Sequence, residues 1–260
     1  MSGARAALSG RAIVITRPRE HAARLADAVR AAGGEPVLFP AIEILPASDG
    51  DALARAIANL DRCDLAIFIS ESAAVRGCEA VFAARAWPSR LRVAAVGGGT
   101  ARALERLGFA DVLAPQGRGD SEALAALPEL RDVRGRSIVI FRGDGGREWL
   151  SDELQARGAA VEYAQCYRRA PPAAGKLAPL LARWQRGGID AVSITSGEGL
   201  ANLFALLGPT GKSYLRATPV FVSHPRIAAL ARELGIGQVA LTDAGEEGAV
   251  SGMAAFFAKV

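Results

Sequence analysis

A chain of 260 residues and 27.0 kDa has room for one large hydrophobic core or two small ones. Half of it is apolar and 22% is charged, which excludes a disordered chain, and no apolar run approaches the ~20 residues of a membrane span. The formal charge is +4, and because Lys occurs only at Lys176, Lys212 and Lys259 the basic residues are nearly all arginine; that suits an anionic ligand gripped by planar guanidinium forks, and a GC-rich genome bias produces it equally.

The opening MSGARAALSGR lacks the apolar stretch and cleavage site of a secretory leader, so a soluble, cytoplasmic protein is expected. Cys63, Cys78 and Cys166 are widely spaced and form no CxxC, as buried thiols in a reducing compartment would be. The histidines are His21 and His224, so no metal site is expected.

The segment from Gly10 to Pro40 reads strand, helix, strand. AIVIT (Ala12 to Thr16) is short, apolar and β-branched, as a buried parallel strand should be. Arg17-Pro18 ends it. The helix that follows carries Leu25 and Val29 four apart and stops at Gly33-Gly34, where a left-handed cap is required. PVLFP (Pro36 to Pro40) is a second strand, and the longer run PVLFPAIEILP (Pro36 to Pro46) exceeds one strand.

The same pattern recurs about 126 residues later. GRSIVIFR (Gly135 to Arg142) repeats GRAIVITR (Gly10 to Arg17), and its helix also stops at a glycine, Gly158. DAVSITS (Asp190 to Ser196) repeats DLAIFIS (Asp64 to Ser70). VFVSHPRIAALARELG (Val220 to Gly235) repeats VAAVGGGTARALERLG (Val93 to Gly108). Two copies are too few for a solenoid, so the order predicts two similar α/β lobes with parallel sheets covered on both faces and a cleft between them. Ligands in such sheets sit at the carboxyl ends of the strands.

The turns at those ends are built alike. They are Thr16-Arg17-Pro18, Glu71-Ser72-Ala73-Ala74, Gly98-Gly99-Thr100, Asp144-Gly145-Gly146-Arg147, Gly197-Glu198-Gly199 and His224-Pro225-Arg226. Small and hydroxyl residues at helix starts are ordinary N-caps, and helix starts also accept anions. Six of them in two lobes favour a site for a polyanion. Gly97-Gly98-Gly99 lacks the dinucleotide spacing, no GxxxxGK[ST] loop is present, and Ser72 and Ser196 sit on no GxSxG elbow. VEYAQCYRR (Val161 to Arg169) alternates like a strand and is expected to return between the lobes as a hinge, with Tyr167 facing the cleft or half-buried in the strand.

In their order and spacing, ITRP, IFISESAAV, AVGGGTARALERLG, IVIFRGDGGREWLSDELQARGAAV, CYRR and SITSGEGL resemble the uroporphyrinogen-III synthase family, from Gly10 to the EEGAVSGMAAF tail at Glu246. The resemblance implies two α/β lobes joined by a two-stranded β-ladder: residues 1–38 with 172–260 as the first, 47–163 as the second, and 39–46 with 164–171 as the connection. It implies a cofactor-free lyase that takes hydroxymethylbilane, a linear tetrapyrrole with eight carboxylates, closes it and inverts ring D to give uroporphyrinogen III. Residue by residue, Tyr167 matches the family's cleft tyrosine, which helps the hydroxyl leave. Thr16, Arg17, Ser70, Ser72, Thr100, Arg142, Gly143, Arg147, Ser196 and His224 fall on its cleft-facing turns and are expected to bind substrate. The turn at His224 departs from its internal counterpart, Gly97 to Thr100, in lacking its glycines and threonine.

The expected protein is a monomer with hinge motion between its lobes. It binds neither nucleic acid nor membrane, and it meets hydroxymethylbilane synthase transiently, since the substrate cyclises spontaneously. A two-lobed protein that binds an anionic small molecule without transforming it is the alternative.

Overall fold

The computed structural model describes residues 7–117 and 119–259. Residues 1–6 and Val260 of the expected first lobe, with them most of the MSGARAALSGR segment read above, lie outside the described residues. The chain forms β1 (Ala12–Ile15), α1 (Arg19–Ala31), β2 (Glu35–Leu38), β3 (Glu43–Pro46), α2 (Gly50–Ala58), β4 (Leu65–Phe68), α3 (Glu71–Ala84), β5 (Arg92–Ala95), α4 (Gly98–Arg106), β6 (Val112–Leu113) and α5 (Ser121–Ala125). It continues with β7 (Ser137–Gly143), α6 (Trp149–Ala156), β8 (Ala160–Ala170), α7 (Leu177–Gln185), β9 (Ala191–Ile194), α8 (Gly197–Leu206), α9 (Pro209–Ala217), β10 (Val220–Val222), α10 (Pro225–Glu233), β11 (Val239–Leu241) and α11 (Gly245–Phe257). No helix among the described residues is long and apolar enough to cross a membrane.

These elements divide into two units, Met1–Glu43 with Ala170–Val260, and Ile44–Arg169. The first holds a five-stranded parallel sheet in the order β11-β10-β9-β1-β2. The second holds a six-stranded sheet in the order β3-β8-β7-β4-β5-β6, with β8, β7, β4, β5 and β6 parallel. Under the internal repeat β7 stands for β1, β8 for β2, and β4, β5 and β6 for β9, β10 and β11. The two orders are then the same, so the duplication read in the chain is a duplication of sheets. The run Pro36–Pro46 divides between them, β2 in the first sheet and β3 in the second. Residues 164–167, placed above in the connecting ladder, pair with β7 as an extension of the second sheet.

Both faces of each sheet are buried. In the first, Val14, Val192, Ile194, Val220 and Val222 point into one cluster, while Ile13, Ile15, Ala191 and Phe221 point into the other. In the second, Ala66, Phe68, Val93, Val139 and Phe141 alternate with Leu65, Ile67, Ala94, Ile138 and Ile140. This period of two with no polar side explains the continuous apolar runs. Phe68 and Phe141 stack with centroids 4.6 Å apart. Helix α3 lies tight against them at Gly77, where a Cβ would stand 2.6 Å from Phe141 Cδ1.

Repeated residues do repeated work. Asp190 accepts the backbone N–H of Ala12 at 2.8 Å, and Asp64 accepts that of Ser137 at 2.8 Å, so each aspartate pins the start of the neighbouring strand. Gly33, Gly108, Gly158 and Gly235 all have positive φ and end helices α1, α4, α6 and α10. Beyond each, the next amide reaches back to a carbonyl of the last turn, as from Gly34 to Val29 and from Ala159 to Leu154.

Asp190 also receives Arg11 Nη1 at 3.0 Å. Asp190→Ala removes both bonds and leaves the Ala12 amide unpaired. It is expected to lower stability by about 1.5 kcal/mol, read from denaturant unfolding, with the fold retained.

Candidate active site

Every helix that follows a central parallel strand starts at the strand's carboxyl end. In each sheet the connections lead to opposite sides from one boundary, β1/β9 in the first and β7/β4 in the second. Crevices at such boundaries are where open α/β sheets bind ligands.

At the β7/β4 boundary stand Ser70, Gly143 and Tyr167. Ser70 caps α3, its Oγ accepting the Ala73 N–H at 3.0 Å. The same oxygen is 3.1 Å from the Tyr167 hydroxyl. Tyr167 reaches it because the β7–β8 register shifts between Arg142 and Gly143, which sets Gly143 opposite Tyr167. The phenol ring covers Gly143, where a Cβ would lie 2.7 Å from Cε2 and Cζ. Tyr167 is 7% exposed, and burial raises its pKa against the opposing Ser70 hydrogen bond and the nearby Arg169 charge. The phenol is therefore protonated near neutrality and is equipped to donate rather than to accept a proton. Its neighbour Cys166 is pushed up to about 12 by burial, as is Cys78, so neither supplies a thiolate.

Arg142 lies under the turn that follows β7. It is 3% exposed, with its guanidinium 4.4 Å over the Tyr163 ring and Nη2 donating to the Gly145 carbonyl. A Cβ on Gly146 would meet Nη2 at 3.1 Å, and Gly146 has φ +107, so the turn closes over the arginine only as glycine. Arg147 stands outside this turn and pairs with Glu122.

Of the remaining candidates, Arg17, His224 and Thr100 line two pockets, one in each unit. The first unit's pocket, about 570 Å³, is lined by Arg17, Thr195, Gly197, Ser223, His224, Arg226, Ile227, Ala244 and Gly245. His224 caps α10, its Nδ1 accepting the Arg226 N–H at 3.1 Å, so the neutral ring carries its proton on Nε2. The cap that its counterpart turn makes with glycine is made here by an imidazole. The second unit's pocket, about 410 Å³, is lined by Gly97, Gly98, Gly99, Thr100, Arg102 and Glu71 among others. Gly99 makes room for Glu71, whose Oε1 is 2.7 Å from where a Cβ would stand.

Arg17 and His224 thus share one pocket, Thr100 lines the other, and Ser70, Gly143 and Tyr167 meet at the β7/β4 boundary. Thr16 and Ser72 are buried; Thr16 Oγ1 donates to the Ser193 carbonyl at 2.8 Å across the β1/β9 boundary. Ser196 caps α8 through the Gly199 N–H at 3.0 Å. Sequence reasoning passed over the acids Glu71, Glu122 and Glu246. An anion site is read from its bases, and the signal these acids carried in the sequence was their place in the first turns of helices.

Residues 23–250 match the family model described as uroporphyrinogen-III synthase HemD. The chain is 36% identical over 234 residues to the uroporphyrinogen-III synthase of Salmonella typhimurium, covering 89% of this chain and 94% of that one. It is 34% identical to the enzyme of Escherichia coli over 89% and 94%. Among solved structures, a mutant uroporphyrinogen III synthase from Thermus thermophilus superposes with TM-score 0.60 at 20% identity, over 96% of this chain and 98% of that one. The Helicobacter pylori protein superposes with TM-score 0.57 at 14% identity over 96% and 98%. At those identities the superpositions speak for the fold alone.

Gly143→Ala puts a methyl into the Tyr167 ring. It is expected to cost about 2 kcal/mol and to part the phenol from Ser70, checked by thermal melting and by a structure of the variant.

Proposed function

The chain belongs to the uroporphyrinogen-III synthase family, and we infer that it catalyses the cyclisation of hydroxymethylbilane to uroporphyrinogen III in tetrapyrrole biosynthesis. The observation that supports a catalytic role within this chain is the Tyr167 hydroxyl, held protonated by burial, 3.1 Å from Ser70 Oγ.

The chemistry sets what the protein must do. The ring A hydroxyl leaves as water once it takes a proton, and the pyrrole nitrogen lone pair fills the vacated carbon to give an azafulvene. Ring D attacks it through its already substituted α-carbon. The spiro intermediate fragments and recloses with ring D inverted, and a proton is lost. These steps move protons and water and transfer no electrons to an acceptor. Tyr167 would donate a hydrogen bond or proton to the departing hydroxyl, with Ser70 orienting the phenol. Thr16, Arg17, Ser72, Thr100, Arg142, Gly143, Arg147, Ser196 and His224 complete the proposed substrate set. Arg142 acts from beneath its turn, through the field of its buried charge and the shape it gives residues 144–147. Holding the chain folded against direct closure to the type I isomer is a matter of positioning. The reading carries with it a cytoplasmic monomer and a transient encounter with hydroxymethylbilane synthase.

With hydroxymethylbilane generated in situ, the products oxidised and the isomers separated, type III is expected to dominate. Folded protein that yields only type I would overturn the reading. Tyr167→Phe is expected to lower kcat on the order of tenfold with the isomer retained. Because burial raises the phenol's pKa, it stays protonated through neutrality, and the wild-type to variant rate ratio should hold constant from about pH 7 to about pH 9.

A further inference from the structure

Arg17 follows β1, and Glu246 stands in the first turn of α11. Nη1 of the arginine meets Oε1 of the glutamate at 2.8 Å, with the side chains 18% and 31% exposed. Arg17 Nε is buried and has no hydrogen-bond partner among the described residues. Arg17 also lines the 570 Å³ pocket, whose other lining residues include His224, Arg226, Thr195 and Ser223 but no acid. Glu246 directly follows the lining residue Gly245. A cationic pocket thus has its wall arginine turned to a carboxylate from the chain itself.

The second unit holds a related but not equivalent pair. Arg147, beyond the end of β7, pairs with Glu122 in the first turn of α5, which follows β6, the repeat of β11. Glu122 stands where Glu246 stands in the repeat, but the residue that repeats Arg17 is the buried Arg142, and neither Arg147 nor Glu122 lines the second unit's pocket. A partly exposed ion pair such as Arg17–Glu246 braces a helix only weakly. A brace also leaves the orphaned Nε and the pocket-wall position without a purpose.

We propose that Glu246 stands in for a ligand carboxylate, holding Arg17 in the free protein and yielding it to an alkyl carboxylate of the incoming substrate. The proposal rests on the function inferred above and adds a positioning residue that tunes affinity. The exchange breaks one charge-assisted hydrogen bond and makes another at the same guanidinium, and it transfers no proton. Its consequence is a lowered apparent affinity, since only the fraction of molecules with Arg17 released is ready to bind. If the pair is closed about four-fifths of the time, as a partly exposed pair would be, removing Glu246 raises that fraction roughly fivefold.

The test is steady-state kinetics on hydroxymethylbilane with isomer analysis, for wild type, Glu246→Gln, Arg17→Gln and the double variant. Glu246→Gln should lower KM roughly fivefold with kcat little changed, and Arg17→Gln should raise KM by a larger factor in the Glu246→Gln background than in wild type. Melting temperatures accompany the kinetics. A KM unchanged or raised in Glu246→Gln, with a lowered melting temperature, would show a plain brace and overturn the proposal. Should Glu246→Gln not fold, Glu246→Asp, one methylene too short to reach Arg17 without strain, takes its place with the same direction expected. Wild-type protein that makes no type III isomer would instead sink the functional reading, independently of any variant.

Discussion

Parallel pairing is the constraint from which the other features follow. A parallel neighbour can be reached only by a return across the face of the sheet, so each strand is followed by a helix that begins at the same edge. That edge collects the unpaired amides of several helix starts and the residues that cap them. Ser70, Ser196 and His224 cap three helices by three side chains, and Gly97 leaves a fourth uncapped by any side chain. The pockets, the candidate arginines and the Tyr167 hydroxyl all sit on these edges. The same pairing demands burial of both faces, which is why the strands are apolar without alternation and why so little chemistry lies along them.

Much of this was legible because the repeat writes it twice. The shared D-strand and GR-strand phrases predicted matching sheets, and the paired aspartates at Asp64 and Asp190 turn out to perform the same pinning. Glycines at matched helix ends signalled left-handed caps, since only glycine takes that conformation without cost. Hidden in the chain were contacts with no local signature. Arg17 and Glu246 are 229 residues apart. The Ser70–Tyr167 contact depends on a register shift at Gly143 that no periodicity announces. The resemblance put Arg142 on a cleft-facing turn, but the strand runs through Gly143 and carries it below the turn. Strand ends were legible to within a residue or two, as with AIVIT, whose threonine lies just past β1.

Arg142 bears on the electrostatics of the edge it underlies. A guanidinium 3% exposed, with Nε unpartnered among the described residues, has lost most of its hydration. The Tyr163 face and the Gly145 carbonyl offset part of that loss. What remains is a fixed positive charge in a region of low dielectric, where its field reaches further than that of a solvated arginine. It cannot be screened by ions as Arg147 can, at 66% exposure. The carboxyl end of β7 therefore places a buried cation, Arg142, near an exposed one, Arg147, that is paired with Glu122.

That combination answers a difficulty in the proposed reaction. Uroporphyrinogen III retains all eight carboxylates of hydroxymethylbilane, so any contact to them binds substrate and product alike. Binding of that uniform kind does nothing for the chemical step and slows release if it is strong. A cleft that gripped every carboxylate with a free arginine would saturate with product. Arginines held on glutamates of the same chain give back much of what they gain, since each new ion pair replaces an old one. Net affinity is then moderate while register is still specified, because a carboxylate must arrive at the guanidinium to displace the internal one. The interactions left to favour the transition state are those at the leaving hydroxyl, where the hydrogen bond proposed for Tyr167 would strengthen as the C–O bond breaks. On this account the acids beside the arginines belong to the design of the site, and its selectivity for the reaction over the ligand depends on them.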